Sequence, residues 1–436
     1  MNKTSILIDK CKWIITQDDE RTVLKNKSIY IEDGIITEIS DKINVEAEYV
    51  INGENKLCMP GLINLHTHSP MSLFRGYADD MPLMKWLREK IWPLEQKLTP
   101  KLCYLGALLS CLEMIRTGTT FFVDMYWFPI EIAKAIDRTD LKALITIGVL
   151  DNFDSSLRDQ AINQINKFLS EIKAFSPKII GGIGTHAPYT CSPELLLKCK
   201  EIAENEKIPI QIHIAETRRE QAEFEKKYGK REVEYLSDLG FLSNNVLAVH
   251  CVWLSKNEIK KMSEYNVKVV HCPISNMKLA VGGVMPLIEL LEANVTVGLG
   301  TDGPASNNCL DMFQTMKFCA LIHKHHRWDP SIVNSQLVLD LATINGAKAL
   351  RLPNVSGRIS VNEPADLVLI NLNSANLQPI HSSNTIISHL IYSTSGFNVS
   401  DVIIDGKLVL KNGSFMNISL SEVLDEINYE LSKLLE

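Results

Sequence analysis

Two histidines one residue apart, His66 and His68, close the run Leu57-Cys-Met-Pro-Gly-Leu-Ile-Asn-Leu-His-Thr-His. Pro60-Gly61 is a turn signal, the residues after it are apolar, and in a β-strand positions i and i+2 face the same way. The pair can therefore chelate one ion. Neutral imidazole is the commonest metal ligand, and two rings on one rigid strand lose little entropy on binding. Taken alone, the pair fits satisfied structural histidines as well as it fits chelation. The choice depends on what other strands bring to the same place.

Eight apolar, strand-like runs can be marked: residues 61–66, 119–124, 143–150, 179–186, 208–216, 246–250, 267–271 and 295–302. Helix-like segments separate most of them. Eightfold alternation of strand and helix over roughly 250 residues implies a (β/α)8 TIM-type barrel, with a doubly wound sheet as the alternative. Six runs end in His66/His68, His186, His213, His250, His271 and Asp302, and in a barrel those ends converge on one mouth, where catalysis sits. So many polar groups are hard to explain as core packing, because each would be buried without a partner. His66, His68 and His213 offer three nitrogens and Asp302 an oxygen. That set suits one divalent ion, zinc or alternatively Fe2+, and leaves a position for water. His271 and the cluster His323, His325 and His326 are read as structural or surface residues.

The chain on either side of the barrel has a different texture. Short alternating strands with Asp-Gly and Asn-Gly turns fill residues 4–58 and return near the C-terminus. Segments at the two ends of a chain can pair, which implies a small discontinuous β-sandwich. The expected division is 1–58 and 358–420 for the sandwich, 59–357 for the barrel and 421–436 for a C-terminal helix. An apolar fraction of 45% with 22% charged residues rules out a disordered or fibrous chain. A formal charge of −7 without a basic stripe excludes a nucleic-acid surface. No stretch reaches the length of a membrane span, and Asp9 and Lys10 interrupt the N-terminal apolar run, so a cytoplasmic location is expected. Ten scattered cysteines without a Cys-x-x-Cys pair imply free thiols.

The combination of Pro-Gly-Leu-Ile-Asn-Leu-His66-Thr-His68, His213-Ile-Ala-Glu216, His250-Cys-Val-Trp and Gly300-Thr-Asp302-Gly-Pro-Ala-Ser306 resembles the amidohydrolase superfamily. Within it, the closest likeness is to the methylthioadenosine/S-adenosylhomocysteine deaminases, and it extends over essentially the whole chain. Guanine deaminases and triazine hydrolases share most of the metal motif and remain the alternative enzyme class; a metal-free, non-catalytic scaffold is the alternative outside it. Superfamily members with two metals bridge them with a modified lysine at the end of the fourth strand. Here that place reads Gly184-Thr-His186, which implies one ion.

The resemblance implies a hydrolytic deaminase acting on a small nucleoside, with a homo-oligomer left open. The metal would acidify its water, Asp302 would take the water proton, and Glu216 would shuttle a proton to the ring nitrogen. His250 would polarise the attacking oxygen as charge develops. By similarity, residues 69–98 form a lid whose Trp86 packs on the substrate and whose Glu95 accepts from ribose hydroxyls. His186 adds a polar contact, and Ser306 reaches the purine edge. The deaminases that accept S-adenosylhomocysteine use arginines beyond the third strand for its carboxylate. Arg158 lies in that region out of register with them, which leaves methylthioadenosine, adenosine and 5'-deoxyadenosine compatible.

Overall fold

The computed structural model describes residues 4–435. Eight parallel strands follow one another in chain order: β1 (Leu62–Thr67), β2 (Thr119–Tyr126), β3 (Lys142–Val149), β4 (Ile179–Thr185), β5 (Ile210–Ile214), β6 (Val246–His250), β7 (Lys268–His271) and β8 (Val297–Leu299). The last meets the first where Asp302 N donates to His66 O at 3.0 Å, so the sheet curls into the expected barrel. Strands covered on both faces must be apolar on both. Accordingly β5, Ile-Gln-Ile-His-Ile, and β6, Val-Leu-Ala-Val-His, are buried at every position. Helices such as Pro100–Arg116, Ser155–Glu171 and Pro193–Glu206 ring the barrel, each opened by a Thr, Asp or Ser side chain that accepts a first-turn N–H.

Two strands stop short of their polar ends. β5 ends at Ile214 and β8 at Leu299, before Glu216 and Asp302. The backbone explains why. Ala215 (φ +52°), His250 (φ +71°) and Asp302 (φ +64°) lie in the left-handed region, which cannot continue a strand. Each such residue costs on the order of 1–3 kcal/mol. The three together throw the chain out of the sheet at one rim.

Strands from both ends of the chain share one nine-stranded sheet beside the barrel. The seam is Lys56–Pro60 against Leu367–Asn371, antiparallel, with Cys58 opposite Leu369. Ile6, Ile8, Ile14, Ile29, Ile31, Leu367 and Ile403 form its fully buried core, giving the β-sandwich. Lys56–Pro60 passes through Gly61 directly into β1, and a Cβ at Gly61 would stand 2.0 Å from Thr120 Oγ1, so only glycine fits the handover. The helix Leu420–Leu435 buries Val423 and Ile427 and pairs Glu426 with Lys101 of helix Pro100–Arg116.

Candidate active site

Three histidine rings at the mouth are oriented from behind in the same way. His68 Nδ1 is 2.6 Å from Met125 O, and His213 Nδ1 is 2.7 Å from His186 O. A carbonyl can only accept, so both Nδ1 atoms carry the proton. His66 Nδ1 is 3.2 Å from Gln211 Oε1, whose amide is itself fixed by donation from Nε2 to Leu65 O. All three Nε2 lone pairs therefore face the mouth. There His66 Nε2 lies 3.3 Å from His213 Nε2 and 3.4 Å from Asp302 Oδ1, and His68 Nε2 lies 3.5 Å from the same oxygen. Four acceptors with no proton between them repel, and a cation in their midst reverses the sign. The donor set fits a divalent ion. Burial pushes His66 down to about 4 and His213 well below the usual imidazole range, while the histidines hold Asp302 well below the carboxylate range. Both kinds of shift keep the donors in their ligating forms.

Two residues that the sequence reading missed hold the catalytic candidates. Ser275 Oγ donates to Asp302 Oδ2 at 2.6 Å and lies 2.9 Å from Ser306 Oγ, and His250 Nδ1 lies 2.9 Å from Asn276 Oδ1. Both sit on the turn that follows β7, so consecutive residues position Asp302 and His250. Glu216 lies just past β5, with Oε2 3.7 Å from His250 Nε2. Burial, with Asp302 nearby, pushes its carboxyl up to about 8, so it holds a proton at neutral pH.

The mouth opens into a cleft of about 400 Å³ under the segment 69–98. Trp86, Glu95, His186 and Ser306 all line it. Trp86 is anchored by Nε1 donation to Ala78 O at 2.9 Å, so its indole packs the lid while one face meets the cleft. Glu95 accepts from Tyr126 Oη at 2.7 Å, and burial pushes it up to about 7. His186 Nδ1 is 2.8 Å from Thr190 Oγ1, leaving Nε2 free toward the cleft. No lysine or arginine lines the cleft. Arg158 is turned away to Ser192 and Glu194. His271 is also absent from it, buried against His323 with Nε2 atoms 3.1 Å apart.

A barrel with a discontinuous sandwich and His-x-His, His and Asp donors at its mouth defines an amidohydrolase. The amidohydrolase family model matches residues 57–409, and the chain belongs to that family. Among characterised relatives, it is 46% identical over 407 residues to the 5-methylthioadenosine/S-adenosylhomocysteine deaminase of Thermococcus sibiricus, covering 93% of this chain and 94% of that one. It is 43% identical over 406 residues to the 5'-deoxyadenosine deaminase of Methanocaldococcus jannaschii, covering 92% and 95%. Among solved structures, an adenosine deaminase from Xanthomonas campestris with bound zinc superposes with a TM-score of 0.93 at 30% identity, covering 99% of this chain and 98% of that one.

Proposed function

We propose that the chain is a hydrolytic deaminase of adenosines that carry a small, uncharged 5'-group, giving the inosine analogue and ammonia. The observation that carries the substrate reading is a cleft with one buried carboxyl, Glu95, placed for a diol, and no cation for an anionic tail. The relatives named for 5'-deoxyadenosine and methylthioadenosine support it. A carboxylate tail such as that of S-adenosylhomocysteine would lose its hydration there without gaining a partner, a cost of several kcal/mol.

His66, His68, His213 and Asp302 would hold the ion, zinc being the choice and Fe2+ the alternative. Once bound, it supplies Lewis-acid activation of water at neutral pH. Asp302, kept anionic by its neighbours, accepts the proton of the attacking water at Oδ1, while Ser275 holds the other oxygen. Glu216 enters the reaction protonated and gives that proton to the purine ring nitrogen as C6 becomes tetrahedral. His250, fixed by Asn276 with Nε2 facing the site, steadies the developing oxyanion side. Trp86 and the rest of the lid exclude bulk water. Ammonia leaves with a proton relayed through Glu216.

Ammonia release from 5'-deoxyadenosine, methylthioadenosine, adenosine and S-adenosylhomocysteine, assayed side by side, tests the substrate claim. The three neutral nucleosides are expected to react at least about tenfold faster in kcat/KM than S-adenosylhomocysteine. Preference for the charged tail would refute it.

A further inference from the structure

Glu216 is gripped through its two chain neighbours. Glu232 Oε2 accepts the N–H of Ala215 at 2.7 Å, and Glu220 Oε2 accepts the N–H of Thr217 at 3.1 Å. Ala215 is one of the left-handed residues that end β5, so its peptide needs an external hold. The second oxygen of each carboxyl, Glu220 Oε1 and Glu232 Oε1, is buried without a donor, yet the two side chains interact directly. Two facing acceptors form a bond only when one of them carries a proton.

We propose that Glu220 and Glu232 share a single proton and act as a clamp that positions Glu216 for proton transfer. The proton sits on Glu232, which is wholly buried, and its O–H donates to the Glu220 carboxylate. Glu220 also belongs to the capping box of helix Arg218–Tyr228, so the clamp ties the end of β5 to that helix and to Glu232 on the next, Glu232–Asp238. Titratable groups around the pair are Glu216 ahead of it, Glu258 with its partner Arg231 behind, and Tyr189 and His250 beside it. Arg231 is already committed to Glu258 at 2.6 Å, so it leaves the pair without a counter-cation and the proton is the only neutralising group. Burial raises Glu220 to about 7 and Glu232 well above its ordinary 4.5, in keeping with one retained proton.

The inference rests on the role given above to Glu216, and two readouts on the metal-loaded full chain separate the two. Glu232→Ala removes the clamp and is expected to lower kcat about ten- to a hundredfold with metal content unchanged. Glu232→Gln puts an amide N–H in place of the shared proton and is expected to restore kcat to within about twofold of the parent. Equal damage in both variants, or full activity in Glu232→Ala, would overturn the clamp. The second readout does not involve turnover. A carboxyl whose proton is held more tightly in the folded state contributes stability that is present at low pH and is lost as pH rises from its unfolded value of 4.5 through the folded one. The Tm of the parent is therefore expected to fall more steeply than that of Glu232→Gln between about pH 5 and about pH 8. Parallel curves would show that no proton is shared, whatever Glu216 does.

Discussion

Glu216 Oε2 faces His250 Nε2 across 3.7 Å, one group protonated at neutral pH and the other offering a lone pair fixed by Asn276. A proton donor and a polarising acceptor so placed bracket the space between the ion ligands and the cleft. Their separation is set by the ends of β5 and β6, adjacent strands in register with Ile214 opposite His250. The chemistry rests on that register.

Replacing Glu216 by Gln keeps shape and hydrogen bonding but removes the transferable proton. Metal content is expected to stay at the parent level, while kcat falls about 10²- to 10⁴-fold. Metal analysis and steady-state kinetics on the same sample check this.

The pH profile follows from the same carboxyl. Burial beside Asp302 raises Glu216 to about 8, so the proton is present below that pH and absent above it. An acid that must donate is competent on the low side, and kcat/KM is expected to fall as pH rises through about 8. A profile still rising there would assign the acid to another group.

Gln211 is expected to matter for the ion rather than for the nucleoside. Its Oε1 keeps the His66 proton on Nδ1, so Gln211→Leu frees the ring to take the wrong tautomer. Metal affinity is expected to drop about 10- to 100-fold, measured by competition with a chelator, with activity recovered at high metal.

Glu95 offers a test of the diol contact. A hydrogen bond to a charged group contributes about 1.5–3 kcal/mol, so Glu95→Ala is expected to reduce kcat/KM for 5'-deoxyadenosine roughly 10- to 100-fold. A 2',3'-dideoxy analogue should be insensitive to the substitution.

Much of this site could be read along the chain because its donors stand at strand ends, where spacing alone carries meaning. His66, His68, His213 and Asp302 were of that kind, as were the eight runs that became β1 to β8. Gln211 was within reach too: it lies two residues before His213 in an otherwise apolar strand and so faces the same interior. Ser275, Asn276 and Tyr126 were harder. Their roles depend on distances between separate strands and loops, and nothing in their own surroundings marks a serine that touches Asp302 or an asparagine that touches His250. The strand ends were overrun for a local reason, the positive φ at Ala215 and Asp302, which apolar patterning does not register.

The most direct measurement is product formation from 5'-deoxyadenosine and guanine by the metal-loaded enzyme, each followed for ammonia and for its deaminated base. The expected result is one ammonia and one 5'-deoxyinosine per nucleoside consumed, abolished by chelation, with guanine inert. Turnover of guanine with the nucleoside untouched would contradict the reading of the cleft and of Glu95.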